Sequence, residues 1–260
     1  VSATALQDLM GSLARLPLAM TLAVEDIGGK YRRTILGPLW IAIGQAVTIA
    51  AFAVLFSGLF DIPPAEYAPF LAAGFPAWAL ISSFMIDMPS AFIQSKGYLE
   101  SFELPWMMQI WRRTFGYLIV FAHQIFTLFV VMAILDIPPT WDMLYVLPGL
   151  IIVTIAGTGV GIFLAIVGAR YRDVPHAMSI LAGFLFLFSP VIWRPDQLQE
   201  NRWAIEYNPV YYLLQMLREP LLGRAPEPEV WTGGIVAAIL LFAMGFVAFA
   251  ASRGRLYHWL

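Results

Sequence analysis

LWIAIGQAVTIAAFAVLFSGLF, running from Leu39 to Phe60, passes through twenty-two residues without one Lys, Arg, Asp or Glu. At ~1.5 Å rise per residue a helix of this length covers the roughly 30 Å hydrocarbon core of a bilayer. Five more runs share the property: Ala68 to Ile86, Thr114 to Leu135, Met143 to Ala169, Ala177 to Trp193 and Val230 to Ser252. Backbone N–H and C=O groups find no water in lipid, so runs this long must pair internally as helices. Barrel strands would be shorter and alternating. The expected fold is an all-α membrane protein of six spans, the fifth being the shortest.

Charge sets the expected orientation. With the N-terminus inside, the inner segments hold Arg15, Lys30, Arg32, Arg33, Lys96, Arg112, Arg113, Arg170, Arg172, Arg253 and Arg255. The outer ones hold Arg194, Arg202, Arg218 and Arg224, all in the long last loop, while the two short outer loops carry acids and no base. Such a bias places both ends in the cytoplasm. Residues 1–37 form an interface segment and residues 38–260 the six-span domain. Residues 1–37 lack the short basic start and apolar core of a cleavable signal, so the first span is expected to act as the insertion signal. A chain opening on Val1 is expected to have lost its initiator methionine or a few residues.

Composition narrows the function. Hydrophobic residues make up 60% of the chain and charged ones 12%, with no cysteine and three scattered histidines. Thiolate chemistry and cysteine-based zinc sites are excluded, and no basic stripe suits nucleic acid. Phosphate-loop, dinucleotide, nucleophile-turn and His-Glu-x-x-His motifs are absent. Gly157, Gly159 and Gly161 lie inside an apolar run, where small residues serve close helix packing. Asp87 and His123 approach the membrane without forming the chain of groups a proton pathway needs. Transport by such a chain must borrow its work from a partner, and no cofactor is expected in the chain itself. An enzyme reading, a membrane acyltransferase using His123 or His176, remains a remote alternative.

The connecting segments hold the candidate sites. Before the first span, apolar residues recur at helical spacing around Pro17, which predicts two short helices along the cytoplasmic interface. Ser95, Lys96 and Gly97 can start a short cytoplasmic helix through Phe102, ended by Pro105. The apolar last loop, Arg194 to Glu229, is expected to dip back into the outer membrane surface as two short helices broken at Asn208-Pro209. Tyr207, Asn208 and Pro209 at that break are the candidate outer gate. Lys30, Arg32 and Arg33 are placed to pair with an anionic headgroup, or serve simply as topology markers. Phe52, Phe56, Phe60, Phe75, Trp78 and Trp193 fall in outer halves of spans. They could line a sugar path or belong to the interfacial aromatic belt.

Several landmarks, in order along the chain, resemble type-2 ABC exporter permeases of the polysaccharide and polyol-phosphate branch. Glu25-Asp26 followed by Lys30-Tyr31-Arg32-Arg33-Thr34-Ile35-Leu36-Gly37-Pro38-Leu39-Trp40 resembles that branch's entry to the first span. Arg170-Tyr171-Arg172-Asp173-Val174 resembles its turn after the fourth span, and Ser189-Pro190-Val191-Ile192-Trp193 its ending of the fifth. Asn208-Pro209 and Arg218-Glu219-Pro220-Leu221-Leu222-Gly223 resemble its last outer segment. Glu100 and Glu103 make the second inner loop more acidic than the branch's pattern. The resemblance implies a homodimer above two separate ATPase subunits, in a bacterial inner membrane. Gly97, Tyr98, Leu99, Glu100 and Phe102 would form the ATPase-coupling element. The implied substrate is a lipid-linked polysaccharide, O-antigen-like, on a lipid diphosphate; capsular polysaccharide and teichoic acid are the nearest alternatives.

Overall fold

The structure, a computed structural model, describes residues 4–101, 104–195 and 203–259. Every regular element among them is helical. Two short helices, α1 (Ala5–Leu13) and α2 (Leu16–Lys30), precede the first long one. The break falls at Ala14 and Arg15 rather than at Pro17, because proline is well suited to the first turn of α2, where its missing N–H is not needed.

Five helical stretches are long and apolar enough to cross a membrane. They contain α3 (Leu39–Phe60), α4 (Pro64–Ile86), α7 (Trp106–Ile134), α8 (Val146–Arg170) and α12 (Pro228–Ser252). The sixth apolar run gives a shorter helix, α9 (Val174–Phe188). It stops before Ser189-Pro190, although the run continues to Trp193, because Pro190 has no N–H to extend the ladder. α7 begins eight residues before its apolar run, directly after Pro105, and so takes Arg112 and Arg113 into its helix. Charge ends an apolar run without ending a helix.

α4 forms the axis of the bundle, buried over most of its length, with neighbours in α3, α7, α8, α9 and α11 (Pro209–Leu221). α8 and α12 make the closest helix pair. A Cβ on Gly245 would stand 2.1 Å from the Gly159 carbonyl oxygen, and one on Gly159 would stand 2.4 Å from Phe242 Cα. Glycine lets these backbones touch, which is how helices associate where apolar burial gives no preference over lipid. Gly157 and Gly161 meet Phe84 and Met88 in the same way.

The two chain ends lie at one end of the bundle, where Asp8 pairs with Arg253 at 3.0 Å. An even number of end-to-end passes fits that arrangement, and α9, the shorter apolar helix, adds one to the five long ones. Its start neighbours the turn Met88–Ser90 that follows α4. Its far end reaches the start of α4, where the Tyr67 hydroxyl donates to the Ile192 carbonyl. Between the fifth and sixth passes come α10 (Trp203–Glu206) and α11 (Pro209–Leu221), broken where the Asn-Pro pair predicts.

Candidate functional site

The end of the bundle that carries most of the arginines and lysines is built around the consecutive helices α1 and α2. Asp8 on α1 is buried, and its carboxylate accepts from the Trp106 and Met107 backbone N–H groups at 3.2 and 3.1 Å. Those are orphan donors of the first turn of α7, so a residue nearly a hundred positions away caps that helix. The same carboxylate accepts from Arg253 Nε and Nη2. Ser12, one turn later, accepts from the Trp111 indole at 3.0 Å. Trp106 packs edge-on against Phe92 and Tyr257, so both chain ends meet where the chain enters α7.

Toward the end of α2, Asp26 takes a two-pronged bond from Arg112, Nε and Nη2 each at 2.6 Å. Between these two attachments α2 leaves a cavity of about 540 Å³ against the ends of α4 and α7, within the size range of ligand sites. Lys30, Arg112 and Arg113 line it, and two carboxylates, Asp26 and Asp87, face them. Arg113 donates to neutral oxygens: the Asp87 carbonyl at 2.9 Å and Gln94 Oε1 at 2.7 Å. Gln109, 1% exposed, accepts from Ser95 and has a buried Nε2 without a partner.

The predicted inner-loop helix is present as α6 (Lys96–Ser101), following the single turn α5 (Ala91–Gln94). Gly97 and Tyr98 are exposed, and a Cβ on Gly97 would meet open space. Arg112 lies 4.8 Å above the Tyr98 ring. A line of contacts thus joins Tyr98 on α6 to Arg112 on α7 and Asp26 on α2. Leu99 and Glu100 lie within α6, and Phe102 falls outside the described residues. Of the three headgroup candidates Lys30 lines the cavity, whereas Arg32 and Arg33 sit on the exposed turn after α2, Arg33 with a left-handed φ of 69°.

The candidate path aromatics divide. Phe52, Phe56 and Phe60 stack along one face of α3, at 5.1 and 5.7 Å between successive rings. Phe52 meets Phe75 of α4, which meets Phe186 of α9, which meets Trp78. Trp193 lies outside this row, its indole donating to the Leu187 carbonyl. At the candidate outer gate, Tyr207 is exposed, and Asn208 is buried as the cap of α11. Its Oδ1 accepts from Val210 N–H and its Nδ2 donates to Ser189, tying α11 to the end of α9. Arg218, fully buried, donates to the Pro190 carbonyl and Gln215, with its guanidinium 4.4 Å from the Phe70 ring centre.

The model of the ABC-2 type transporter family matches residues 19–222, most of the chain, from α2 through α11. The chain belongs to that family. As an ABC-2 protein it is a multi-pass membrane permease component of an ABC transporter, and members of the family normally pair with an ATP-binding subunit. No curated relative matches it. Asp8 belongs to no motif, while Asp26 and Arg218 stand in landmark stretches that assign them no role. Arg112 and Arg113 read from sequence as topology markers, and only the length of α7 shows that they face α2.

Proposed function

We propose that this permease moves a lipid-linked polysaccharide, O-antigen-like, from the inner to the outer face of a bacterial cytoplasmic membrane, as a homodimer with paired ATPase subunits. In this reading the end bearing α1, α2 and α6 is cytoplasmic, and α9 is the fifth of six spans. The carrying observation is the row Phe60, Phe56, Phe52, Phe75, Phe186 and Trp78. These rings join α3, α4 and α9, and several are only half-buried. Sugar C–H faces stack on aromatic rings with little demand on sequence or register. Such a surface suits a long repeating chain better than a site shaped around one unit.

α6 is the proposed contact for the ATPase. Its exposed Gly97 and Tyr98 offer a short docking helix, and the Tyr98–Arg112–Asp26 line gives motion a route into α7 and α2. ATP and Mg would sit on the partner. Asn208, Pro209 and Tyr207 would gate the outer end through the tie between α11 and α9.

The reading is tested by depleting the permease in cells and following surface glycan. Loss of surface glycan with accumulation of its lipid-linked form inside is the expected result; unchanged surface glycan refutes it. Stimulation of the co-expressed ATPase should disappear when Gly97 to Glu100 is replaced by a flexible linker. Undiminished stimulation would remove α6 from the coupling role.

A further inference from the structure

We infer that the cavity between α2 and α7 is a binding site for a phosphate or diphosphate group, and that Asp26 occupies part of it as a built-in competitor. The inference rests on the export reading only for the source of the phosphate. Three cations, Lys30, Arg112 and Arg113, face two carboxylates there, so one positive charge is left over. Among the described residues Lys30 makes no hydrogen bond or ion pair. Arg113 has only neutral acceptors. Gln109 Nε2, buried and unpaired, is a further donor in the wall of the same cavity. A buried donor without an acceptor is costly, and an anion that supplied one would recover that cost.

The geometry favours phosphate over carboxylate. A carboxylate has two oxygens, and Asp26 already presents both to Arg112. A tetrahedral phosphate can meet the planar fork of Arg112 while turning other oxygens toward Lys30, Arg113 and Gln109. Asp26 can yield its place because its own side chain is 47% exposed and can turn to water, while Arg112, 14% exposed, stays in the wall to receive another anion. Arg112 also lies over Tyr98, so exchange of its anion would be felt at α6. Occupancy of this site would thereby report the presence of cargo to the ATPase contact.

The test uses the full chain in phosphatidylcholine nanodiscs. Inorganic pyrophosphate is titrated calorimetrically, and a second series carries polyprenyl diphosphate, with polyprenol as the uncharged control. Arg113→Gln should weaken anion binding about tenfold, as loss of a charged hydrogen bond does. Asp26→Asn should strengthen it, up to about fivefold, by removing the competitor. A gain of affinity cannot come from misfolding, which keeps the test decisive if Arg113→Gln folds poorly. Pyrophosphate binding with this pattern establishes a site that reads the free anion. The same pattern with polyprenyl diphosphate alone establishes a lipid source. Binding of neither, or binding that Asp26→Asn fails to strengthen, overturns the inference. Site failure with surface glycan still lost on depletion leaves the export reading standing; binding intact with surface glycan unchanged sinks export alone.

Discussion

Asp8 and Asp26 belong to two consecutive helices and bind the same third helix, yet they hold it in opposite ways. The Asp8 side chain is 1% exposed and serves two backbone N–H groups and an arginine at once. That of Asp26 is 47% exposed and serves one arginine. A charge removed from water must be matched on all sides or it destabilises the fold, so Asp8 is held in one geometry by four donors. A charge left half in water gains little from its partner and loses little without it. The N-terminal helix pair is therefore fixed at α1 and releasable at α2. Fixing one end lets movement at the other be directed instead of diffuse.

The largest expected break comes at Asp8. Asp8→Ala leaves Arg253 without its buried anion and two helix-start donors uncapped, a loss of about 3–5 kcal/mol. Thermal unfolding in detergent should show it, together with low yield of folded protein. Asp8→Asn, which keeps an acceptor for the N–H groups, should fall between. If Asp8→Ala unfolds like the wild type, α1 is not the fixed point.

Next in size is Arg218, the other buried charge, at the opposite end of the bundle. It faces neutral oxygens and a ring where Asp8 faces a cation. A planar fork suits that site and a lysine ammonium does not, so Arg218→Lys should cost about 2–3 kcal/mol. The same thermal assay checks it. A neutral result would show that the Tyr67 and Asn208 bonds hold the Ser189–Trp193 segment without the Arg218 fork.

The difference between the two aspartates also marks what can be read from the chain alone. Run length gave the long helices, and the Asn-Pro pair gave the break before α11, because both signals are local. Asp8 looked like one more polar residue on an amphipathic helix, since its partners lie 98 and 245 positions away. Arg112 and Arg113 looked like the end of an inner loop because hydropathy records where apolar residues stop, not where the helix does. Lys30 could be singled out beside Arg32 and Arg33, but the cavity that separates it from them depends on how α2 lies against α7. Phe186 entered the aromatic row only through packing, because nothing in the spacing of α9 relates it to Phe75.

A double-mutant cycle sharpens the weaker contact. Asp26→Asn and Arg112→Gln, alone and together, should give a coupling energy of at most about 1 kcal/mol. A coupling of several kcal/mol would make Asp26 a second fixed point and remove the reason for treating it as replaceable by a ligand.

Salt should give the smallest and most discriminating effect. Raising it from about 0.15 to 1 M shortens the screening length from about 8 to 3 Å, which weakens an exposed pair and leaves a buried one nearly untouched. Hydrogen exchange reads this helix by helix, since an amide exchanges through local opening. Exchange across Ala23 to Lys30 should speed up about two- to fivefold, the most that loss of an exposed pair allows. Exchange across Leu6 to Leu13, held through Asp8, should stay constant. In Asp26→Asn the salt effect on α2 should vanish, because the pair that salt screens is already gone. Equal acceleration in both segments would mean that α1 and α2 open as one body, and the contrast between a fixed α1 and a releasable α2 would fall.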